Sequence, residues 1–318
     1  MTITVTGGIT FSGGLTFAPG GGGGGGGTQK AIFGYGQITG GTKVAMTTLV
    51  SNTGVVATDT TGVGTARMFI AATGYGTDKA IFGYGLTTVN VSITNLVSNT
   101  GVVATDTTGV GTGRQAPGAA GYGSSGQAIF GYGYNVGDVS MTNLVSNTGV
   151  VATDTTGVGT ARYNLGCASY GTDKAIFGYG RDDINGYINS MTNKVSNTGV
   201  VATDTLGVGT GRASLRAAGY GTDKAIFGYG SNGISQLSMT NLVSNTGVVA
   251  TDTTGVGTAR GGLAAASYGT DKAIFGYGYG TSWTAVTNLV SNTGVVATDT
   301  TGVGTARQLL AAAGYSTS

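Results

Sequence analysis

The decapeptide Ser-Asn-Thr-Gly-Val-Val-Ala-Thr-Asp-Thr constrains this chain more than any other feature. It first stands at 51–60 and returns unchanged from Ser98, Ser146, Ser196, Ser244 and Ser291. One residue further on, each copy continues into Gly-Val-Gly-Thr, then Ala or Gly, then Arg. Phe-Gly-Tyr-Gly precedes each copy, from Phe33, Phe82, Phe130, Phe177, Phe227 and Phe275, at intervals of 49, 48, 47, 50 and 48 residues. Six units this short share a core with their neighbours, so the chain reads as a repeat architecture before any single residue is weighed.

One unit divides into four short strands. The first two in sequence are Ala128–Tyr132 and Ser140–Val145. Ser146-Asn147-Thr148-Gly149 is a hairpin turn, and Val150–Thr153 is the third strand. Leu165–Tyr170 is a small, apolar fourth strand, and Gly171-Thr172-Asp173 turns into the next unit. Apolar residues run consecutively, as in Ala175-Ile176-Phe177, which is how strands covered on both faces read. A four-stranded sheet packed between two like itself is a propeller blade. A Thr-rich β-solenoid also has a fixed period, but hairpin turns inside so long a repeat argue against it.

Composition narrows the classes of function. The 64 glycines recur at fixed places in the repeat, so they punctuate turns and do not mark disorder. With 15 Lys and Arg against 13 Asp, a net charge of +2 leaves no electrostatic footprint for nucleic acid. No apolar run approaches the ~18 residues of a membrane span, and no secretory signal is expected at the N-terminus. The lone Cys167 excludes an internal disulfide and reads as a small buried residue.

Ahead of the repeats, residues 1–19 alternate Ile, Val, Leu and Phe with Thr around two Gly-Gly turns. They read as short strands that need a partner, because two or three such strands are marginal alone. Residues 20–29 form a linker whose glycine run, Gly20–Gly27, has a reach of roughly 16 Å. The expected organisation is an N-terminal anchoring segment (1–19), a tether (20–29) and a repeat domain (30–318).

Over Lys30 to Ser318 the repeat resembles the Kelch motif. Arg260 precedes the small apolar strand Leu263-Ala264-Ala265-Ala266, and a second apolar strand, Ala273-Ile274-Phe275, ends in glycine punctuation. Gly-Tyr-Gly stands where Kelch has Gly-Gly, Val150 stands where it has Trp, and the lone Trp283 lies elsewhere. The resemblance implies an all-β, six-bladed Kelch-like β-propeller with the Leu-Ala-Ala-Ala strand innermost. It also implies that the C-terminal strand, Leu310 to Ala313, completes the sheet begun at Lys30 and closes the ring.

The copies differ most at two places. The stretches after Phe-Gly-Tyr-Gly all differ, and so do the two residues after each repeated Arg. The remaining turns stay nearly uniform. In an antiparallel blade both variable sets fall at one end, so that end is the candidate binding face. Phe69, Tyr134, Tyr163, Arg181, Asp182, Tyr187 and Trp283 are its candidate ligand-binding residues. Arg216, where other copies have Ala or Gly, is expected to line the central channel.

The absence of His and Glu removes most general acid–base and metal schemes, so no enzyme, metal or cofactor is expected. Asp182-Asp183 could hold Ca²⁺, but adjacent carboxylates in a turn more often stay solvated. Each repeat also carries an Asp and an Arg eight residues apart: Asp59 and Arg67, Asp106 and Arg114, Asp154 and Arg162, Asp204 and Arg212, Asp252 and Arg260, Asp299 and Arg307. Six recurrences in a charge-poor chain point to structural ion pairs.

The expectation is a non-enzymatic protein. Its organisation resembles an appendage, tail-fibre or receptor-binding protein of a bacteriophage particle. Residues 1–19 would dock on other virion proteins, the protein would be a homo-oligomer in the assembly, and the variable face would meet a host surface protein or glycan. The corresponding location is the virion, with synthesis in the host cytoplasm. A capsid or tail decoration protein and a multivalent lectin are the alternatives.

Overall fold

The computed structural model describes residues 29–315. The expected anchoring segment and the glycine run lie outside the described residues. Gln29, expected at the end of the tether, instead belongs to the fold: it is buried, and its carbonyl accepts the Gly269 N–H at 2.9 Å.

Every described element is a strand. Six antiparallel sheets follow the repeat. In each, a first strand ending in Tyr pairs with the Ala-Ile-Phe-Gly strand, which pairs with a third strand ending in Val. Sheet 1 comprises Ala311–Tyr315, Lys30–Gly34, Thr47–Val50 and Val56–Thr60. Sheet 2 comprises Ala71–Tyr75, Lys79–Gly83 and Thr94–Val97. Sheets 3, 4, 5 and 6 begin with Gly118–Tyr122, Gly166–Tyr170, Arg216–Tyr220 and Ala264–Tyr268. The C-terminal strand pairs with the first strand of the repeats, Tyr315 opposite Lys30 and Ala311 opposite Gly34.

The first strands touch one another in sheet order, and the last, Ala311–Tyr315, touches Ala71–Tyr75 of sheet 2, so the contacts return to their start. A circle of backbone hydrogen bonds runs the same way. The N–H of Phe69 donates to Leu309, Ala116 to Phe69, Asn164 to Ala116, Ser214 to Asn164, Gly262 to Ser214 and Leu309 to Gly262, at 2.7–3.2 Å. All six residues have positive φ, from 51° to 62°. At the other end, the turn glycines Gly76, Gly123, Gly171 and Gly221 each donate to the following sheet's turn, and Gly269 donates to Gln29, just before the Lys30 strand of sheet 1.

Phe-Gly-Tyr-Gly explains how the sheets pack. The Phe of one sheet lies against the Tyr of the sheet before it at 5.1–5.2 Å between ring centroids, from Tyr35–Phe82 round to Tyr277–Phe33. The intervening Gly admits that Phe: a Cβ on Gly178 would stand 2.7 Å from Phe227 Cζ. The Tyr itself adopts φ of 63–65°, an uncommon conformation for a bulky residue, at the point where the ladder bulges. Its hydroxyl donates to the Val carbonyl of Gly-Val-Gly-Thr, as from Tyr132 to Val158 at 2.9 Å. Each such aromatic pair contributes about 0.5–1.5 kcal/mol beyond its buried area.

The outer strand departs from expectation. Only sheet 1 has it as a continuous strand; elsewhere it is reduced to two bridges, such as Thr94↔Thr107 and Val97↔Val103. The physical reason is a buried Asn. In sheet 2, Nδ2 of Asn95 reaches across to the Ala104 carbonyl at 3.0 Å and to Asp106 at 2.9 Å, inserting a side chain where the ladder would run. In sheet 1 Thr48 takes that place and pairs directly with Asp59.

Candidate functional site

The repeated Arg is a structural clamp between sheets. Arg67 leaves sheet 1 with its side chain 0% exposed and its guanidinium 4.4 Å over the ring of Tyr35. It donates to the Tyr84 carbonyl of sheet 2 at 2.9 Å, to Asn95 Oδ1 at 2.6 Å and to its neighbour Thr65 at 3.0 Å. All six Arg side chains are 0% exposed and lie over the Tyr of the preceding sheet. Burial pushes the pKa of Arg67, Arg114, Arg212 and Arg260 down from its ordinary value.

The ion pairs differ from the sequence spacing. Arg67 does not pair with Asp59, eight residues before it. It meets Asp106, and Arg114 meets Asp154, Arg162 meets Asp204 and Arg307 meets Asp59, at 3.1–3.9 Å. Arg212 and Arg260 complete the set through Asn241 and Asn288, with Asp252 and Asp299 bonded to those same Asn amides. The eight-residue spacing spans a crossing from one sheet to the next, so the Asp and Arg of one copy serve opposite seams. Each Asp also accepts the hydroxyl and N–H of a Thr just before the Arg, as Asp154 does from Thr112 at 2.7 and 2.9 Å.

The two variable sets meet backbone to backbone. Residues after each Arg bridge to the stretch after Phe-Gly-Tyr-Gly of the following sheet: Met68↔Leu86, Gln115↔Tyr134, Tyr163↔Arg181, Ala213↔Ser231 and Gly261↔Tyr279. Gln37–Ile38 and Arg307–Gln308 form the sixth such pair. The uniform turns gather elsewhere: a Cβ on Gly76 would stand 2.8 Å from the Asn147 carbonyl of the next Ser-Asn-Thr-Gly turn.

Of the candidate residues, the structure brings together those of sheets 3 and 4. The rings of Tyr134 and Tyr163 lie 5.4 Å apart. The Tyr163 hydroxyl donates to Asp183 at 3.0 Å, and exposed Arg181 pairs with the same carboxylate. Burial and then the Asp183 bond raise the Tyr163 pKa to about 12, while Arg181 holds Asp183 below the usual carboxylate range. Asp138 accepts the Asp183 N–H at 2.6 Å, and burial, reinforced by its acidic neighbours, raises its pKa.

The remaining candidates stand apart. Trp283 packs edge-on to Tyr279 at 6.0 Å on sheet 6, two sheets beyond sheet 4. Phe69 belongs to the hydrogen-bonded circle, and the Tyr187 backbone pairs with Asp182. Asp182 is not a surface carboxylate, as the sequence reading had it. It is 2% exposed and holds its turn by accepting the Asn185 backbone and side-chain N–H groups at 3.0 and 2.6 Å. Arg216 is not on this end; it lines an internal chamber. Among the described residues no group of three Cys or Asp side chains could hold a metal ion.

Sequence reasoning missed the loop tips. Val89, Val136, Ile184 and Ile234 are 64–92% exposed at the apices of four variable stretches. An aliphatic residue set among Asn, Gly, Asp and Ser in a turn is the signal that marks them. Neither a protein-family model nor a curated protein sequence matches this chain.

Proposed function

We propose that the six sheets are the blades of a Kelch-like β-propeller, and that the chain is a non-enzymatic appendage or receptor-binding protein of a bacteriophage particle. In this reading residues 1–19 anchor it to other virion proteins, the glycine run is a tether, and the variable end meets a host surface protein or glycan. One observation carries the reading. Differences between the copies concentrate where the two variable connections pair, while the clamps and the opposite turns repeat almost without change. A rigid frame with diversified loops is how binding surfaces are commonly built. Tyr134, Tyr163, Arg181 and the exposed tips Val136 and Ile184 offer aromatic, cationic and apolar contacts in one patch.

The test is binding of the full chain to a panel of bacterial cells. The comparison is a variant in which Arg181 to Asn189 and Tyr279 to Ala285 are replaced by Leu86 to Val91. Binding lost only in the variant supports the reading. Equal binding, or none, moves a capsid or tail decoration role ahead. The loops are unlike one another, which disfavours a lectin with one equivalent pocket per blade.

A further inference from the structure

All six first strands surround an internal space. Its larger chamber, about 160 Å³, lies at the uniform-turn end and is lined by Tyr75, Tyr122, Tyr170, Tyr315, Ser169 and Ser267 among others. A smaller chamber of about 40 Å³ adjoins it and holds Arg216. Beyond that chamber the circle of backbone hydrogen bonds through Phe69 and Leu309 girdles the channel. The walls are small: where sheet 5 has Arg216, the other sheets have Ala71, Gly118, Gly166, Ala264 and Ala311.

Arg216 differs from every clamp Arg. Among the described residues it has no ion pair, and its one hydrogen bond runs from Nη1 to the carbonyl of Leu215 at 2.8 Å. A guanidinium carries five N–H donors in a fixed fork, so most of its capacity is left for the chamber. Among the described residues no carboxylate lines either chamber, and the one other cation there, Lys79, is paired with Asp78 at 2.6 Å. Cys167, which also lines both chambers, is no counter-ion, because burial raises its thiol pKa and keeps it neutral. Burial lowers the Arg216 pKa to about 10, which still leaves a full positive charge at neutral pH. Arg216 is half-buried and faces the lumen with no protein counter-charge among the described residues, which leaves its guanidinium open to an anion there.

We propose that Arg216 and the small-residue walls around it form a binding site for a compact monovalent anion, of halide or one-carbon carboxylate size. The volume sets the class: about 40 Å³ takes roughly three waters, too little for a sugar or a nucleotide. Entry is through the larger chamber, from the uniform-turn end, so this site is independent of the variable face.

The test is thermal melting of the full chain at fixed pH, sodium concentration and ionic strength, with gluconate replaced stepwise by chloride and, in parallel, by formate. Gluconate is too large for the chamber and serves as the reference. The wild type is expected to gain a saturable rise on the order of 2–4 °C with chloride, formate or both, and whichever acts identifies the anion. Arg216→Ala, which installs the residue found at Ala71, Ala264 and Ala311, is expected to melt at or above the wild type in gluconate and to show no rise. Arg216→Gln, which keeps polar bulk without charge, is likewise expected to be flat. A wild type that responds to neither anion, or variants that respond as it does, would overturn the proposal.

Discussion

The carboxylate of Asp59 lies 3.1 Å from Nη1 of Arg307, 248 residues further along the chain. This contact repeats, across the ends of the chain, the one that Asp106 makes with Arg67 between consecutive sheets. The same clamp therefore serves every seam, including the one between sheet 6 and sheet 1, where the C-terminal strand enters the sheet begun at Lys30. Fixing sheets 1 and 6 together in this way, with Ala311–Tyr315 paired to Lys30–Gly34, holds both ends of the repeats in one sheet.

The clamp Arg should dominate stability at its seam. Arg162 is 0% exposed, lies 4.5 Å over Tyr132, and bonds Tyr179, Thr160 and Asn193. Arg162→Ala leaves those acceptors and Asp204 without their partner, an expected loss of about 3–5 kcal/mol. Arg162→Lys keeps the charge but not the fork, and should recover only part of it. Urea denaturation with both variants checks this; a loss under about 1 kcal/mol for Arg162→Ala would contradict the clamp.

Stability should fall in acid. In Asp59, Asp106, Asp154, Asp204, Asp252 and Asp299 desolvation raises the pKa, but Thr, Asn and Arg partners outweigh it and leave each below the ordinary value. A depressed folded-state pKa gives stability that is full above the unfolded value, about 3.9, and is lost as pH falls through the folded one. Asp138, raised by burial, works in the opposite sense and alone. With no His in the chain, melting temperature should be nearly flat from about pH 5 to 8 and drop steeply below about pH 4. Melting curves across that range test the sign, and Asp154→Asn should shallow the drop.

Glycines should divide by what surrounds them. Gly178→Ala forces a Cβ to within 2.7 Å of Phe227 and should cost about 1–3 kcal/mol. Gly137 has nothing within 4 Å of a Cβ and no left-handed backbone, so Gly137→Ala should be neutral or stabilising by up to about 1 kcal/mol. Denaturation of the two variants side by side separates close packing from turn chemistry; equal effects would remove the packing argument.

Strands were legible where the repeat pattern reports burial directly. Residues 128–132 and 165–170 fall within or one residue outside Gln127–Tyr134 and Gly166–Tyr170. The all-β class was readable for the same reason, whereas the pairing of the C-terminal strand with the strand at Lys30 was expected only from the strand order that the Kelch resemblance implies. Partner choice was not. A repeated Asp–Arg spacing states what every copy contains, not which neighbouring sheet each side chain reaches, so Arg67 was matched to Asp59 and not to Asp106. The role of Asn95 was hidden because a polar residue between Thr94 and Leu96 looks solvated until the Arg from the adjacent sheet arrives. Asp182 was misplaced because its turn folds back over its own carboxylate.

Sheet 1 offers the sharpest test of the Asn. Asn95, Asn143, Asn193, Asn241 and Asn288 each bridge the seam Arg to the outer segment, and Thr48 alone replaces them. Thr48 accepts from Arg307 at 2.7 Å and donates to Asp59, but it has no amide for the outer-segment carbonyl. Thr48→Asn should add one net hydrogen bond and stabilise by about 0.5–1.5 kcal/mol, at the cost of loosening the continuous Val56–Thr60 strand. Hydrogen exchange separates the two effects: amides of 56–60 should lose protection while global stability rises. A fall in global stability of more than about 1 kcal/mol would mean that sheet 1, where both ends of the repeats meet, depends on its complete outer strand and that Thr48 is required there.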